Sequence, residues 1–313
     1  MNKIKSNTTP QSALSYYDEI YAKFPTWEGI VEAGYIARST GSIARIDRLY
    51  PGEDIAILQM EAKEMRLVKT KHPAPTDPNY FELGAILMAV DSARGGFAMM
   101  ELGAGTGPWT AQAANAAAAR QIKIRHFLAV EAEPERFLWL EDNLIKNNVL
   151  DSEMDLVHAA VLPKSKHSMK VLFPVGAPLF AGWSAQTNST AGTERTISYS
   201  GRTDRAELKT VPVISMLGLL LRSKHIYDIA HIDIQGSEFD VLEEAAQLLP
   251  SRLRAVAIGT HGDTISEKIA ELFTKLGWQS MVFIDGNSNY KINDTQVSTV
   301  GLDGFQHWIN PRL

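Results

Sequence analysis

A run of alternate glycines lies between two acidic residues, Glu101 and Glu131. The glycines are Gly103, Gly105 and Gly107. Glycine lets the backbone turn tightly and approach a bound molecule without a Cβ atom in the way. A carboxylate has two acceptor oxygens and can bind an ammonium group or two neighbouring hydroxyls. Residues of these types in this order are typical of a nucleotide-binding loop.

A strand, a turn, a helix and a second strand must position these residues. The apolar run Phe97–Leu102 predicts a buried parallel strand, and Pro108 suits the first turn of a helix that continues to Arg120. A second apolar run, Phe127–Val130, ends at Glu131. Ligands bind at the carboxyl ends of parallel strands in open α/β sheets, so both acids and the glycines are expected at one edge.

The spacing distinguishes between kinds of nucleotide site. A dinucleotide fingerprint needs its third glycine at position 108, which is Pro108, and a P-loop needs a Gly-Lys pair that is missing here. The pattern Glu-x-Gly-x-Gly-x-Gly resembles the first motif of methyltransferases that depend on S-adenosylmethionine (SAM). The resemblance implies that Glu101 holds the ammonium group of SAM and that Glu131 binds its ribose hydroxyls. The predicted cofactor-binding residues are Glu101, Gly103, Ala104, Gly105, Gly107, Glu131, Ala132 and Asp233.

Composition narrows the class of protein. The chain has 313 residues, a formal net charge of −5 and no basic block, so nucleic acid is not expected as a partner. It has no cysteine, which excludes disulfides and thiolate chemistry. The lysines near the N-terminus precede no apolar segment, and no run of 18 apolar residues occurs. A cytoplasmic protein without a membrane span is therefore predicted.

Alternating strands and helices predict a doubly wound, mostly parallel, seven-stranded sheet in residues 94–313, with an N-terminal helical extension in residues 1–93. Apolar residues at three- and four-residue steps predict helices from Ala13 to Val68. Residues 162–209 lack helical periodicity and predict a β-rich insertion. The insertion is either a wall of the acceptor site or an extension of the sheet. The N-terminal helices are also candidates for a homo-oligomer interface.

The chain resembles the FkbM-type family of class I SAM-dependent methyltransferases over about residues 95–285. Besides the glycine loop, the similar blocks are AVEAEPERFLWLEDNLIKNN, HIDIQGSEFDVLEEA and IGTHGD, and HIDIQGSEFDVLEEA is the specific one. The chain departs from the family at His231, Gln235 and Leu217, where Lys, Glu and Asp are usual. The resemblance implies methylation of a hydroxyl oxygen on a sugar, a glycan or another small-molecule secondary metabolite.

Three side chains after predicted strands are candidates for catalysis: Asp233, Glu238 and His261. A hydroxyl is a poor nucleophile until a base takes its proton, and histidine titrates near physiological pH. Asp233 is a candidate base, acceptor-binding residue or helix-cap partner, and Glu238 could instead stabilise a helix N-terminus. His231 lies two residues before Asp233, so both should point to one face of the sheet. No histidine pair has metal-ligand spacing, and no metal is predicted.

The sequence therefore predicts a SAM-dependent O-methyltransferase that acts on a small-molecule or glycan acceptor. One alternative is an N-methyltransferase for a small amine or a protein side chain. Another is a SAM-binding interaction module without catalysis, which the departures from the family pattern keep open. A nicotinamide-dependent oxidoreductase is a distant third, because Pro108 breaks the dinucleotide pattern.

Overall fold

A seven-stranded sheet forms the centre of the molecule. The computed structural model describes residues 9–49, 55–149, 153–167, 171–176, 186–187, 194–199, 202–286, 288–298 and 303–313. The strands of the sheet are β1 Phe97–Leu102, β2 Ile124–Glu131, β3 Met154–His158, β4 Ile229–Ile232, β5 Ala255–His261, β6 Gln279–Ile284 and β7 Asp303–Ile309. Their order is β3-β2-β1-β4-β5-β7-β6, and only β7 runs antiparallel to its neighbours in this sheet. The predicted mostly parallel sheet is confirmed.

Helices cover both faces of the sheet. They are α1 Pro10–Tyr21, α2 Ile55–Glu61, α3 Asn79–Ser92, α4 Pro108–Ala119, α5 Pro134–Lys146, α6 Met216–Arg222, α7 Glu238–Ala245, α8 Leu249–Arg252 and α9 Asp263–Lys275. Short 3-10 helices are present at Ile46–Arg48 and Lys164–Lys166. None of the helices in the described part of the chain is long and apolar enough to cross a bilayer.

Successive side chains of each strand point to opposite faces of the sheet, and this divides the core into two layers. Phe97 and Met99 of β1 pack with α1, α3, α4 and α5, whereas Ala98, Met100 and Leu102 pack with α6, α7 and α9. All six residues of β1 are buried, as expected for a central parallel strand with helices on both faces. Glu101 therefore lies on the face of the sheet that carries the N-terminal helices.

The N-terminal segment is only partly helical. The structure has short strands at Glu28–Val31, Tyr35–Ala37 and Ile43–Arg45, where the sequence predicts helix. Glu28–Val31 pairs with a strand at Arg66–Lys69, and the other two strands form a hairpin. The helical prediction for this stretch is wrong because strands of three or four residues are too short to show a period of two. The predicted break at Pro51 and Gly52 lies outside the described residues.

Helices α1 and α3 share the core of the sheet. Tyr17 of α1 is fully buried, and its hydroxyl lies 2.7 Å from Nδ1 of His307 in β7. Burial lowers the pKa of His307 to about 3, so this histidine is neutral. Its hydrogen bond with Tyr17 fixes α1 against the sheet. The boundary at residue 93 stays a prediction.

Four of the remaining strands lie in the predicted insertion, 162–209, or end one residue beyond it: Val171–Val175, Gln186–Thr187, Glu194–Tyr199 and Arg202–Thr210. They form a separate antiparallel sheet, in which Arg202–Thr210 pairs with both Val171–Val175 and Glu194–Tyr199. Two further pairs lie outside it. They are Ala160–Val161 with Val213–Ile214, in parallel, and Asn289–Ile292 with Thr295–Ser298, antiparallel.

At Gly103 the turn after β1 lies against the backbone of the segment after β4. The φ of Gly103 is +81°, and a Cβ atom there would lie 1.8 Å from the carbonyl oxygen of Asp233. We expect Gly103→Ala to lower the free energy of unfolding by on the order of 3 kcal/mol or more, because backbone atoms must move apart as well as tolerate the strained φ. Urea unfolding measures this change.

Gly95→Ala is the matched control. Gly95 has a φ of +69°, but no atom lies within 4 Å of the position that a Cβ atom would take. The free energy of unfolding of Gly95→Ala should therefore fall by only about 1 kcal/mol, the cost of an alanine in the left-handed region. Equal losses of stability in the two variants would mean that the contact with Asp233 does not determine the turn.

Candidate active site

The glycine turn after β1 is bound to the end of β2. The backbone N–H groups of Gly103 and Ala104 both donate to the carbonyl of Val130, at 3.0 and 2.9 Å. Gly107 precedes α4 with a φ of +72°, and a Cβ atom there would lie 2.4 Å from Leu140. Gly107 is thus required for packing between the turn and α5. It does not line the cleft above the turn.

Glu101 is buried at the base of that cleft, with 1% of its surface exposed. Its Oε2 accepts hydrogen bonds from the backbone N–H of Thr110, at 3.0 Å, and from the Thr110 hydroxyl. Its Oε1 is buried and has no hydrogen-bond partner. Burial raises the pKa of Glu101 to about 7, against the opposing effects of His231 and Thr110. A buried carboxylate oxygen without a partner, on a residue that lines a cleft, is suited to a cationic donor from a ligand.

Glu131 at the end of β2 is the second buried acid of the cleft. Its Oε2 accepts from the N–H of Gly105 at 2.7 Å, and its Oε1 accepts from the N–H of Glu133 at 2.8 Å. Burial raises the pKa of Glu131, and the positive charge of Arg136 opposes this shift. Each oxygen has a second lone pair, so the carboxylate can still accept two hydrogen bonds from hydroxyl groups.

The cleft encloses about 810 Å³ of empty space, including open solvent at its mouth. It brings together seven of the eight predicted cofactor-binding residues; Gly107 is the exception. They are Glu101, Gly103, Ala104, Gly105, Glu131, Ala132 and Asp233. Sequence reasoning missed Trp109, Arg136 and Phe173, which also line it. Phe173 comes from the antiparallel sheet of the insertion, and no motif in the sequence marks it.

Asp233, Glu238 and His261 meet behind one wall of the cleft, although only Asp233 lines it. Nδ1 of His261 lies 2.9 Å from Oε1 of Glu238, and Nε2 lies 3.4 Å from Oδ1 of Asp233. Burial raises the pKa of Asp233, while His261 opposes the shift. Gln235 also donates to Oδ1 of Asp233, at 2.8 Å. The three candidates for catalysis are therefore in one hydrogen-bonded group.

Glu238 fixes the geometry of this group. It is fully buried and accepts hydrogen bonds from the backbone N–H groups of Ile234, at 3.2 Å, and of Gly236, at 3.0 Å. A carboxylate that accepts these donors acts as an acceptor for His261 as well, so Nδ1 of His261 carries the hydrogen. Nε2 faces Oδ1 of Asp233. Glu238 therefore stabilises the N-terminus of α7 and also accepts a hydrogen bond from His261.

The same three side chains could hold a cation. Asp233, Glu238 and His261 each offer one ligand atom, and these atoms lie within 4.8 Å of one another. Spacing along the sequence did not indicate this group, because His261 comes from β5 and the two acids follow β4. Two carboxylates and an imidazole suit a divalent ion such as Mg²⁺ or Mn²⁺.

His231 lies in β4 beside Glu101 of β1 and lines the cleft together with Asp233. Its Nε2 is 3.3 Å from Oε2 of Glu82 in α3, and its ring centroid is 5.5 Å from that of Trp109. Burial lowers the pKa of His231, but the carboxylates of Glu82, Glu101 and Asp233 outweigh it, so the net shift is upward. Glu82 was not predicted. Its only signal is an acid within the apolar helix FELGAILMAV.

The strand order and the glycine turn between β1 and α4 define a Rossmann-like, class I methyltransferase fold. No family model matches the chain. The chain is 26% identical over 197 residues to a protein of Jannaschia sp. strain CCS1 described as a "Putative methyltransferase". The match covers 63% of this chain and 67% of that protein.

Solved structures with similar folds include three methyltransferases. The precorrin-6y C5,15-methyltransferase of Geobacter metallireducens GS-15 is 12% identical, with a TM-score of 0.40 over 76% of this chain and 92% of that one. The SAM-dependent methyltransferase of Agrobacterium tumefaciens is 12% identical, with a TM-score of 0.41 over 79% and 67%. The methyltransferase FkbM of Methylobacillus flagellatus KT is 11% identical, with a TM-score of 0.41 over 84% and 56%.

The raised pKa of Glu101 predicts how the stability of the protein depends on pH. Between about pH 4.5 and pH 7 the folded protein keeps a proton on Glu101 that the unfolded chain has released. Stability contributed by this proton falls as the pH rises through that window and is lost above it. Glu101→Gln cannot ionise, so relative to the wild type it should gain on the order of 3 kcal/mol between pH 4.5 and pH 8. Urea unfolding at a series of pH values measures the difference, and parallel curves for the two proteins would contradict it.

Proposed function

We propose that this protein is a SAM-dependent methyltransferase. The observation that carries the proposal is the pair of buried acids at neighbouring strand ends, with the glycine turn between them. Glu101 lines the cleft and has a buried oxygen without a partner, and Glu131 lines it with oxygens that can accept further hydrogen bonds. These groups suit an ammonium and a pair of ribose hydroxyls, which SAM carries. The description of the Jannaschia relative as a methyltransferase supports the proposal.

The residues present fit the cofactor. Glu101 would hold the ammonium group, the backbone from Gly103 to Gly105 would approach the ribose, and Glu131 would bind its hydroxyls. Trp109 and Ala132 would bury the apolar parts. When bound, SAM supplies a methyl group activated by its sulfonium; the protein supplies position and electrostatics.

Asp233 is the group we assign to the acceptor. It lines the cleft at the end of β4, and its side chain is 43% exposed, so a bound acceptor can reach its carboxylate. A proton accepted there can pass to Nε2 of His261, 3.4 Å away, and Glu238 then stabilises the imidazolium through Nδ1. The three residues would thus remove a proton from the cleft. A nucleophile that must lose a proton, such as a hydroxyl, is the acceptor that needs this arrangement most.

The proposal has three further parts. The protein belongs to the FkbM-type family, it methylates a hydroxyl on a sugar, glycan or secondary metabolite, and it is located in the cytoplasm. The family and the acceptor rest on the sequence resemblance, above all on the block around Asp233 and Glu238, and the location rests on composition. The insertion contributes Phe173 to the cleft, which supports its proposed role as a wall of the acceptor site.

Calorimetric titration tests the cofactor. The protein should bind S-adenosylhomocysteine with micromolar affinity and should not bind NAD. Glu131→Ala should weaken this binding by about 1–3 kcal/mol, because the hydroxyl groups of the ribose lose their acceptor in a buried site. Absence of binding to S-adenosylhomocysteine would remove the methyltransferase proposal, and unchanged affinity in Glu131→Ala would remove Glu131 from the cofactor site.

His261→Ala tests the proton path. On an acceptor found by screening sugars, glycosides and amines with radiolabelled SAM, the variant should turn over at least about 100-fold more slowly, as expected for the loss of a general base. Its affinity for S-adenosylhomocysteine should not change, because His261 does not line the cleft. His225→Ala is the control, since His225 stacks on His126 at the opposite end of the strands.

Normal turnover in His261→Ala would exclude the proposed path. Turnover of amines alone would favour N-methylation, and binding without turnover of any acceptor would favour an interaction module. Adding EDTA separates the two uses of the site. Activity that is lost in EDTA and restored by Mg²⁺ would assign Asp233, Glu238 and His261 to a cation instead of a proton path.

A further inference from the structure

A second cavity lies between the N-terminal hairpin and α5, outside the candidate active-site cleft. It encloses about 680 Å³ of empty space, including open solvent at its mouth. Its walls come from the hairpin, from the 3-10 helix at Ile46–Arg48 and from α5. It also reaches the glycine turn, since Thr106 lines this cavity and the neighbouring Gly105 lines the cleft. No described residue lines both, so the two cavities can hold different ligands.

Hydrogen bonds from two asparagines fix the walls of this cavity. Asn147, directly after α5, accepts from the backbone N–H of Ile43 at 2.8 Å and donates to the carbonyl of Ile43 at 2.9 Å. Asn143 of α5 donates to the carbonyl of Thr106 at 2.8 Å. The hairpin, α5 and the glycine turn are thus bonded to one another. A cavity with fixed walls binds a ligand at a lower cost in entropy than one that must be ordered first.

Basic side chains outnumber acidic ones on the walls. Arg45, Arg48 and Lys146 line the cavity, and Asp142 is the acid among the described residues that line it. The chain as a whole has a formal net charge of −5, so this local excess of positive charge runs against its composition. A concave surface with such an excess attracts anions.

Arg48 is held in position on the wall by a ring and an acid. Its Nη2 lies 2.8 Å from Oδ2 of Asp142, and its Cζ lies 5.5 Å from the centroid of the Trp139 ring. The side chain of Asp142 is 61% exposed, and ion pairs with exposed acids are weak. Asp142 and Trp139 therefore orient the guanidinium, while another anion can compete for it. The flat fork of a guanidinium matches two oxygens of a phosphate group.

Lys146 of α5 is held in the same way. Its Nζ lies 2.8 Å from Oε2 of Glu32 and 5.1 Å from the centroid of the Tyr35 ring. The side chain of Glu32 is 63% exposed, so this ion pair is also weak. A guanidinium and an ammonium on the walls of one cavity suit a group with two negative charges. A phosphate monoester carries nearly two at neutral pH.

We propose that the cavity between the N-terminal hairpin and α5 binds a small molecule that carries a phosphate group, such as a sugar phosphate, through Arg48 and Lys146. The apolar lining residues Ala44, Leu49 and Ile145 suit the carbon skeleton of such a ligand. The inference goes beyond the proposed function and does not depend on it, because the cavity lies outside the candidate active-site cleft.

Calorimetric titration of the full-length protein tests the site. The ligands are glucose 6-phosphate, ribose 5-phosphate and glycerol 3-phosphate, each compared with its unphosphorylated parent. At least one phosphate should bind with a Kd below about 1 mM, and its parent should bind at least about tenfold more weakly. Arg48→Gln and Lys146→Gln should each weaken the binding of that phosphate at least about fivefold, because each removes one positive charge from the wall.

Arg120→Gln is the matched control. Arg120 is also held by an acid and a ring, with its Nη2 2.9 Å from Oδ1 of Asp91 and its Cζ 5.5 Å from the centroid of the Phe24 ring. It does not line the cavity, so its loss should change the affinity for the phosphate by less than about twofold. Thermal unfolding checks that each variant is folded.

Asp142→Asn should change the affinity in the opposite direction. It keeps the size of the side chain and removes the charge that competes with a phosphate for Arg48 and repels it. The variant should therefore bind the phosphate at least about threefold more tightly. If the ion pair served only to hold the hairpin on α5, its loss would weaken binding instead, and that result would contradict the proposed role of Arg48.

The possible outcomes separate this inference from the proposed function. If none of the three phosphates binds, or if each binds no better than its parent, the inference is overturned. Phosphate binding that is unchanged in both Arg48→Gln and Lys146→Gln would also overturn it, because the phosphate would then be held elsewhere. Binding of S-adenosylhomocysteine without binding of any phosphate would leave the proposed function standing, and the reverse result would leave the phosphate site standing.

Discussion

The contact between β1 and β4 is the constraint on which the site depends. The two strands pair in parallel, with Glu101 opposite His231, and the N–H of Asp233 donates to the carbonyl of Leu102 at 2.9 Å. Gly103 leaves room for the carbonyl of Asp233 where the strands end. A shift of one residue in this register would turn the side chains of β4 to the opposite face of the sheet. The acids, the imidazole and the turn converge only in the register observed.

Buried negative charge is the second constraint. Glu101, Glu131 and Glu238 are each at most 4% exposed, and burying a carboxylate is costly unless it is hydrogen-bonded. Each accepts at least one backbone N–H from a turn or from a helix start. These hydrogen bonds hold the turns rigid before any ligand arrives. Glu101 and Glu131 line the cleft, and their charge favours a cationic ligand over a neutral one.

Patterns among neighbouring residues in the sequence predicted most of the local structure. The β1–turn–α4–β2 unit could be read from the sequence because its residues are close together in the chain and each type suits its position. The same applies to the segment that carries Asp233 and Glu238 into α7. The N-terminal strands were missed because each has only three or four residues, too few to show a period of two in the sequence.

Contacts between distant segments could not be predicted in this way. Glu82 and His231 are 149 positions apart, and no motif connects them. His261 was a candidate on its own, yet its pairing with Glu238 depends on the order of β4 and β5 in the sheet. The contact of Gly107 with α5 could not be predicted for a related reason, since only the structure shows Leu140 beside it.

The place of β7 in the sheet determines when the fold can be completed during synthesis. This strand is last in the chain order of the sheet, yet it lies between β5 and β6 and bonds to Tyr17 of α1 through His307. On the ribosome, β5 and β6 must wait with unpaired edges until residues 303–309 emerge. Unpaired strand edges are where nascent chains associate with one another. A chain that has emerged only as far as β6 therefore exposes the edges that β7 later covers.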